Sequence, residues 1–131
     1  MANLGARMTS AFRVGVAQIS TANANRDGTG TMSKVIGGVS NGSLLSSVRI
    51  HAIETTTAGM VRLFLSDDGG TTKYLIDEIP VSAITVSATQ QAFKYDWTPP
   101  NELLLPDADH ELYAATEQAE DFNVVGVAED Y

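Results

Sequence analysis

Residues 64–76 read "FLSDDGGTTKYLI". Two apolar runs flank Asp67, Asp68, Gly69, Gly70, Thr71 and Thr72. Adjacent carboxylates beside glycines suit either a metal or substrate loop or a chain reversal, and the reversal is the better reading. A tight strand connection needs positive φ, which glycine takes at no steric cost. Aspartates cap turns by accepting hydrogen bonds from backbone groups nearby. Leu63, Leu65, Tyr74 and Ile76 then become strand residues around an exposed hairpin tip.

The same period of two runs outward from the tip. "GMVRLFLS" places Val61, Leu63 and Leu65 on one face and Met60, Arg62 and Phe64 on the other. "SSVRIHAIE" sets Val48, Ile50 and Ala52 against Arg49 and His51. "QAFKYDW" sets Phe93, Tyr95 and Trp97 against Ala92, Lys94 and Asp96, and the shared face of the three aromatics predicts core. "KYLIDEIPV", "HELYAATE" and "DFNVVGVAE" complete the series. "DHELYAATEQAED" also contains good helix formers, but local propensity is the weaker signal. Short alternating runs separated by turn residues predict an all-β sandwich.

The first 45 residues differ. "TANANRDGTGTMSKVIGGVSNGS" is rich in Gly, Ser, Thr and Asn and poor in large apolar residues. Within this segment "FRVGVAQIS" alternates, with Phe12, Val14 and Val16 on one side and Arg13, Gly15 and Ala17 on the other. The expectation is an N-terminal arm over residues 1–45, carrying one or two strands and ordering on a partner. A β-sandwich domain over residues 46–131 follows it.

Charge follows the same division. Residues 1–45 carry Arg7, Arg13, Arg26 and Lys34 against Asp27, whereas residues 101–131 carry acids and no Lys or Arg. This predicts a basic, docked end and an acidic, solvated end. With a net charge of -8 and no aromatic-basic interleaving, nucleic acid is not an expected partner. No run is long enough to span a membrane, and the start lacks the apolar core of a signal peptide. The absence of cysteine removes disulfides and thiolate metal sites.

Catalytic patterns are missing. The two histidines, His51 and His110, accompany no Gly-x-Ser-x-Gly elbow, and "IGGVSNGS" lacks the lysine of a phosphate loop. Asp77 and Glu78 are strand neighbours and point to opposite faces. Asp107, Asp109 and Glu111 alternate and could face one calcium ion, but the spacing of a calcium-binding loop is absent. No enzymatic activity and no cofactor are expected. Met60 and Phe64 would leave apolar surface exposed on a monomer, so Met60, Arg62 and Phe64 are the expected self-association residues.

Residues 55–65 read "TTTAGMVRLFL", residues 78–81 "EIPV" and residues 87–90 "SATQ"; the chain closes on "EDFNVVGVAEDY". In these stretches the block from Ser46 to Tyr131 resembles the small virion structural proteins of tailed bacteriophages. The resemblance covers about two-thirds of the chain, in proportion to a domain-sized block. It implies a virion structural protein; a jelly-roll-like sandwich on the outer capsid surface, made in the host cytoplasm, is the expectation. The expected role is a capsid decoration (cement) protein, a homotrimer bound to the phage major capsid protein through Arg7, Arg13, Arg26 and Lys34. A tail-tip or fibre-base module, or a receptor- or carbohydrate-binding module using Tyr74, Tyr95 and Trp97, are the alternatives.

Overall fold

A computed structural model of the chain describes residues 11–100 and 102–131. The described residues form strands and connections without a helix. The strands are β1 (Ala11–Ile19), β2 (Ser33–Gly37), β3 (Ser43–Ala52), β4 (Gly59–Ser66) and β5 (Tyr74–Val81). Then come β6 (Lys94–Trp97), β7 (Leu103–Leu105), β8 (Glu111–Thr116) and β9 (Phe122–Asp130).

The pairing is nested. β4 pairs with β5, β3 with β6 and β7, β2 with β8, and β1 with β9, all antiparallel. Such nesting describes one long hairpin whose tip is the β4–β5 connection. Rolling that hairpin adds the pairs β3–β9 and β4–β8 and produces two sheets. One is ordered β1-β9-β3-β6, with β7 also on β3; the other is ordered β2-β8-β4-β5. This is the jelly-roll arrangement of a β-sandwich, and residues 67–72 are its fulcrum.

The tip is built as a turn. Gly69 and Gly70 have φ of 74° and 95°. Asp68 Oδ1 accepts from Ser66 Oγ at 2.9 Å and from the Thr72 amide at 2.9 Å, and Ser66 Oγ accepts from the Gly70 amide at 2.8 Å. The amide of Gly69 donates to the Asp109 carbonyl at 3.0 Å, so the tip is pinned to the β7–β8 loop.

The core fills the space between the sheets with Val48, Ile50, Ala52, Val61, Leu63, Leu112, Ala114, Phe122 and Val124. Phe93 meets Phe122 edge to face at 6.4 Å, and Trp97 Nε1 donates to Asp77 Oδ2 at 2.5 Å. Tyr95, expected beside Phe93 and Trp97, is instead exposed at the sheet edge. The stretch with helix formers is strand β8, because its Leu112 and Ala114 face the core at a period of two. Pro99 and Pro100 cannot donate to a ladder. They separate β6 from β7, which share one side of β3.

Residues 11–45 are not an arm. β1 pairs with β9 along its whole length, β2 pairs with β8, and Ile19, Val35, Ile36, Leu44 and Leu45 are buried. The expected boundary at residue 45 falls inside β3. Composition misleads here because these strands find their partners far along the chain. Of the expected arm, residues 1–10 lie outside the described residues.

Candidate assembly surfaces

The alternation of β1 is real, but its apolar side faces outward. Phe12, Val14 and Val16 are 74%, 60% and 68% exposed. The inner side of β1 is denied to large side chains by β2. A Cβ on Gly15 would come within 2.1 Å of the Val35 carbonyl oxygen, and one on Gly126 of β9 within 3.1 Å of Ile36 Cγ2. The two sheets approach so closely at this corner that only glycine fits between them.

Register then lays out the outer face. Val14 lies opposite Val127 and Val16 opposite Val125, while Phe12 lies opposite Glu129. Gln18 pairs with Asn123, its Nε2 donating to Oδ1 at 3.1 Å. One strand further, Val127 and Val125 face Ser47 and Arg49 of β3. Arg49 forms a two-pronged ion pair with Asp96 of β6, at 2.7 and 3.0 Å. The face therefore changes from apolar at the β1 edge to charged at the β6 edge.

The residues expected to dock or self-associate lie elsewhere. Met60, Arg62 and Phe64 do face out of the β4 sheet, yet Arg62 is 3% and Phe64 0% exposed. The β1–β2 connection lies over that face. Its Arg26 reaches Glu78 of β5 at 2.6 Å, and a Cβ on Gly28 would meet the Lys73 carbonyl oxygen at 2.1 Å. Glu78 also accepts from Arg62 Nε at 2.7 Å, and the two arginines hold its carboxyl below the usual carboxylate range. Arg62 Nη1 is buried with no hydrogen-bond partner among the described residues. An exposed Arg62–Phe64 strip is therefore corrected to a covered one.

Of the expected docking cations, Arg7 lies outside the described residues. Arg13 contacts Asp130 at 3.0 Å, Arg26 contacts Glu78, and Lys34 contacts Glu111 at 2.8 Å. Each is paired within the chain. The hydrogen bonds from Arg13 and Ser43 hold Asp130 below its ordinary pKa against the opposing effect of burial. For Glu111 burial pushes upward, but Lys34 and the Tyr113 hydroxyl outweigh it. Burial and the neighbouring Glu111 carboxylate raise Tyr113 to about 12. The basic beginning and acidic end are thus laced together rather than held at opposite ends.

The acids expected to converge on calcium are separated by their partners. Asp107 Oδ1 bonds His110 Nδ1 at 2.8 Å, while Glu111 is taken by Lys34 and Tyr113. Among the described residues no group of three or more histidine or acidic side chains could hold a metal ion. His51 Nδ1 donates to the Ala52 carbonyl at 2.7 Å, so both histidines make local contacts.

Reading the sequence missed the one surface that stands out. The signal was the pairing of Phe12, Val14 and Val16 with a small-residue face containing Gly15. Alternation alone does not say which side of a strand is inside.

No protein-family model and no curated protein matches the chain. Among solved structures, a cyanophage Pam1 capsid asymmetric unit aligns at a TM-score of 0.46 and 14% identity, covering 100% of this chain and 93% of that one. A pentameric capsid protein from metagenomic phage sequences aligns at 0.39 and 13%, covering 88% and 61%. A Clostridium thermocellum xylanase, solved as CBM22-1 and GH10 modules with xylohexaose, aligns at 0.40 and 16%, covering 90% and 26%. At such scores these likenesses decide nothing about what this chain does, and the fold rests on its own strand order.

Proposed function

We propose that this chain is a virion structural protein of a tailed bacteriophage, placed on the outer capsid surface as a decoration (cement) protein and lacking catalytic activity. The observation that carries the reading is the apolar outer face of β1 and β9, with Phe12, Val14 and Val16 exposed beside Val125 and Val127. Contiguous apolar surface on a small sandwich is a place where another protein sits. The resemblance of residues 55–65, 78–81 and 87–90 to small phage virion proteins supplies the kind of assembly.

The docking residues change accordingly. Arg13, Arg26 and Lys34 are engaged by acids of the same chain, so the major capsid protein is met by the apolar face instead. The expected homotrimer drew on an exposed Met60, Arg62 and Phe64, and loses that basis with Arg62 and Phe64 covered. Many copies on a repeating lattice make modest contacts strong by avidity.

The test is a cryo-electron reconstruction of the virion that carries the protein. Density for this sandwich at many symmetry-related positions on the head supports the reading. A few copies confined to the tail would sink the decoration role in favour of a tail module.

A further inference from the structure

Each sheet of the sandwich ends in two edges, and three of the four are blunted. The β5 edge carries Pro80, and its pairing with β4 is broken by an irregularity between Leu63 and Phe64. The β2 edge is short, contains Lys34 and has its own irregularity there. The β6–β7 edge carries Lys94 and is interrupted by Pro99 and Pro100. Proline, lysine and bulges on edges are the usual defences against pairing with another chain. Over its described residues β1 has no proline, lysine or bulge. It runs nine residues in unbroken register, from Ala11 opposite Asp130 to Ile19 opposite Phe122.

We infer that the edge of β1, which no described strand covers, pairs with β1 of a second copy of this chain, antiparallel about a two-fold axis at Val14. The strand is self-complementary about that residue. Phe12 falls opposite Val16 of the other copy, Val14 opposite Val14, and Arg13 opposite Gly15. Aromatic and β-branched pairs across strands stabilise a sheet, and like charges directly opposite destabilise it. Arg13 is the one charged residue of β1; it is neutralised by Asp130 and lands on a glycine. The Gln18 end, where the Ser33 hydroxyl lies 3.4 Å from the Gln18 carbonyl, falls outside the paired stretch.

Pairing residues 11–17 joins edges ~24 Å long. It makes one continuous sheet whose apolar rows Phe12, Val14, Val16, Val125 and Val127 run across both copies. An edge contact of this length falls at the small end of specific interfaces, below roughly 1,200 Å² in total. The dimer is therefore concentration-dependent in solution. This inference stands apart from the virion reading, because it concerns the free protein.

Sedimentation velocity across micromolar to millimolar protein tests it. The wild type is expected to move from monomer to dimer, and Val14→Lys, which sets two lysines against each other, to stay monomeric with an unchanged melting temperature. The chain has no cysteine, so single cysteines can be placed freely. Directly opposed strand residues have Cβ atoms about 4.5–5.5 Å apart, near what a disulfide needs. Val14→Cys is expected to form a disulfide dimer under mild oxidation, and Tyr74→Cys, exposed on β5, is not. A wild type that remains monomeric, or a Tyr74→Cys variant that cross-links as fast as Val14→Cys, overturns the proposal. So does a three-fold mass. Protection from exchange, in a monomer, of those β1 amides that point away from β9 would overturn it too, giving the edge to another segment of the same chain.

Discussion

Arg13 and Asp130 stand at opposite ends of the sequence and 3.0 Å apart in space. Asp130 accepts from Arg13 Nε and from Ser43 Oγ at 2.7 Å, and Arg13 Nη2 also donates to the Gly37 carbonyl at 2.6 Å. One carboxylate thus ties β1, β3 and β9 together, and through Arg13 the end of β2. Replacing Asp130 by alanine leaves buried Ser43 and the guanidinium without their acceptor. The expected loss is about 2 kcal/mol, typical of a charge-assisted hydrogen-bond network, read from urea denaturation at neutral pH.

The same pair predicts an acid limb. Asp130 has a folded pKa below its ordinary 3.8. Its contribution is therefore complete above that value and is lost as pH falls through the lower folded pKa. Glu78 and Asp107 are depressed in the same direction, by the two arginines and by His110 respectively. Stability should be flat down to about pH 5 and then fall. Asp130→Asn should be less stable at neutrality and lose less on acidification; equal acid slopes for variant and wild type would remove the pair from this account.

Phenylalanines at 12 and 64 both belong to outward-facing strand positions, but only Phe64 is covered. Phe64→Ala should cost roughly 3–5 kcal/mol, as for a buried aromatic. Phe12→Ala should change monomer stability by less than about 0.5 kcal/mol. Denaturation of both variants at dilute concentration, where dimer is absent, decides between the two environments.

Gly15→Val adds a branched side chain where a Cβ already meets the Val35 carbonyl oxygen. Backbone cannot yield as a flexible side-chain tip can, so overpacking by at least about 3 kcal/mol is expected. Deleting residues 1–30 should be worse still. It removes β1 from the sheet, exposes the inner flank of β9, and should abolish the cooperative thermal transition. A sharp transition in the truncated chain would restore the arm reading.

Arg62 offers a contrast. It is buried, with Nη1 unpartnered among the described residues, and shares Glu78 with Arg26. Arg62→Met keeps most of the volume and removes the orphaned donor, so it should lie within about 1 kcal/mol of wild type. Glu78→Ala strands the buried guanidinium and should be clearly more destabilising in the same denaturation series.

Much of the sandwich could be read from local pattern. Val48, Ile50 and Ala52, then Val61 and Leu63, alternate as a half-buried strand must, and the glycines of residues 69–70 mark the reversal between β4 and β5. What could not be read depends on distant chain. The segment before residue 45 looked poorly packed because Ile19, Val35 and Ile36 are buried by strands distant in sequence. Phe64 looked exposed because the β1–β2 connection, rich in Ser, Thr, Asn and Gly, gives no sign in sequence that it lies over the outer face of β4. The face of β1 was ambiguous until the approach of Val35 to Gly15 fixed which side was inside. The cations looked available because sequence distance conceals the Arg13–Asp130 and Lys34–Glu111 pairs.

The position of β9 between β1 and β3 has a consequence for synthesis. β9 follows every other described strand in the chain yet fills the middle of its sheet, so among the described strands β1 has no ladder partner until β9 has left the ribosome. Until then the row Phe12, Val14 and Val16 and both edges of the strand lack a cover among the described strands. Non-local pairing of this kind is slow and exposes sticky surface on the way.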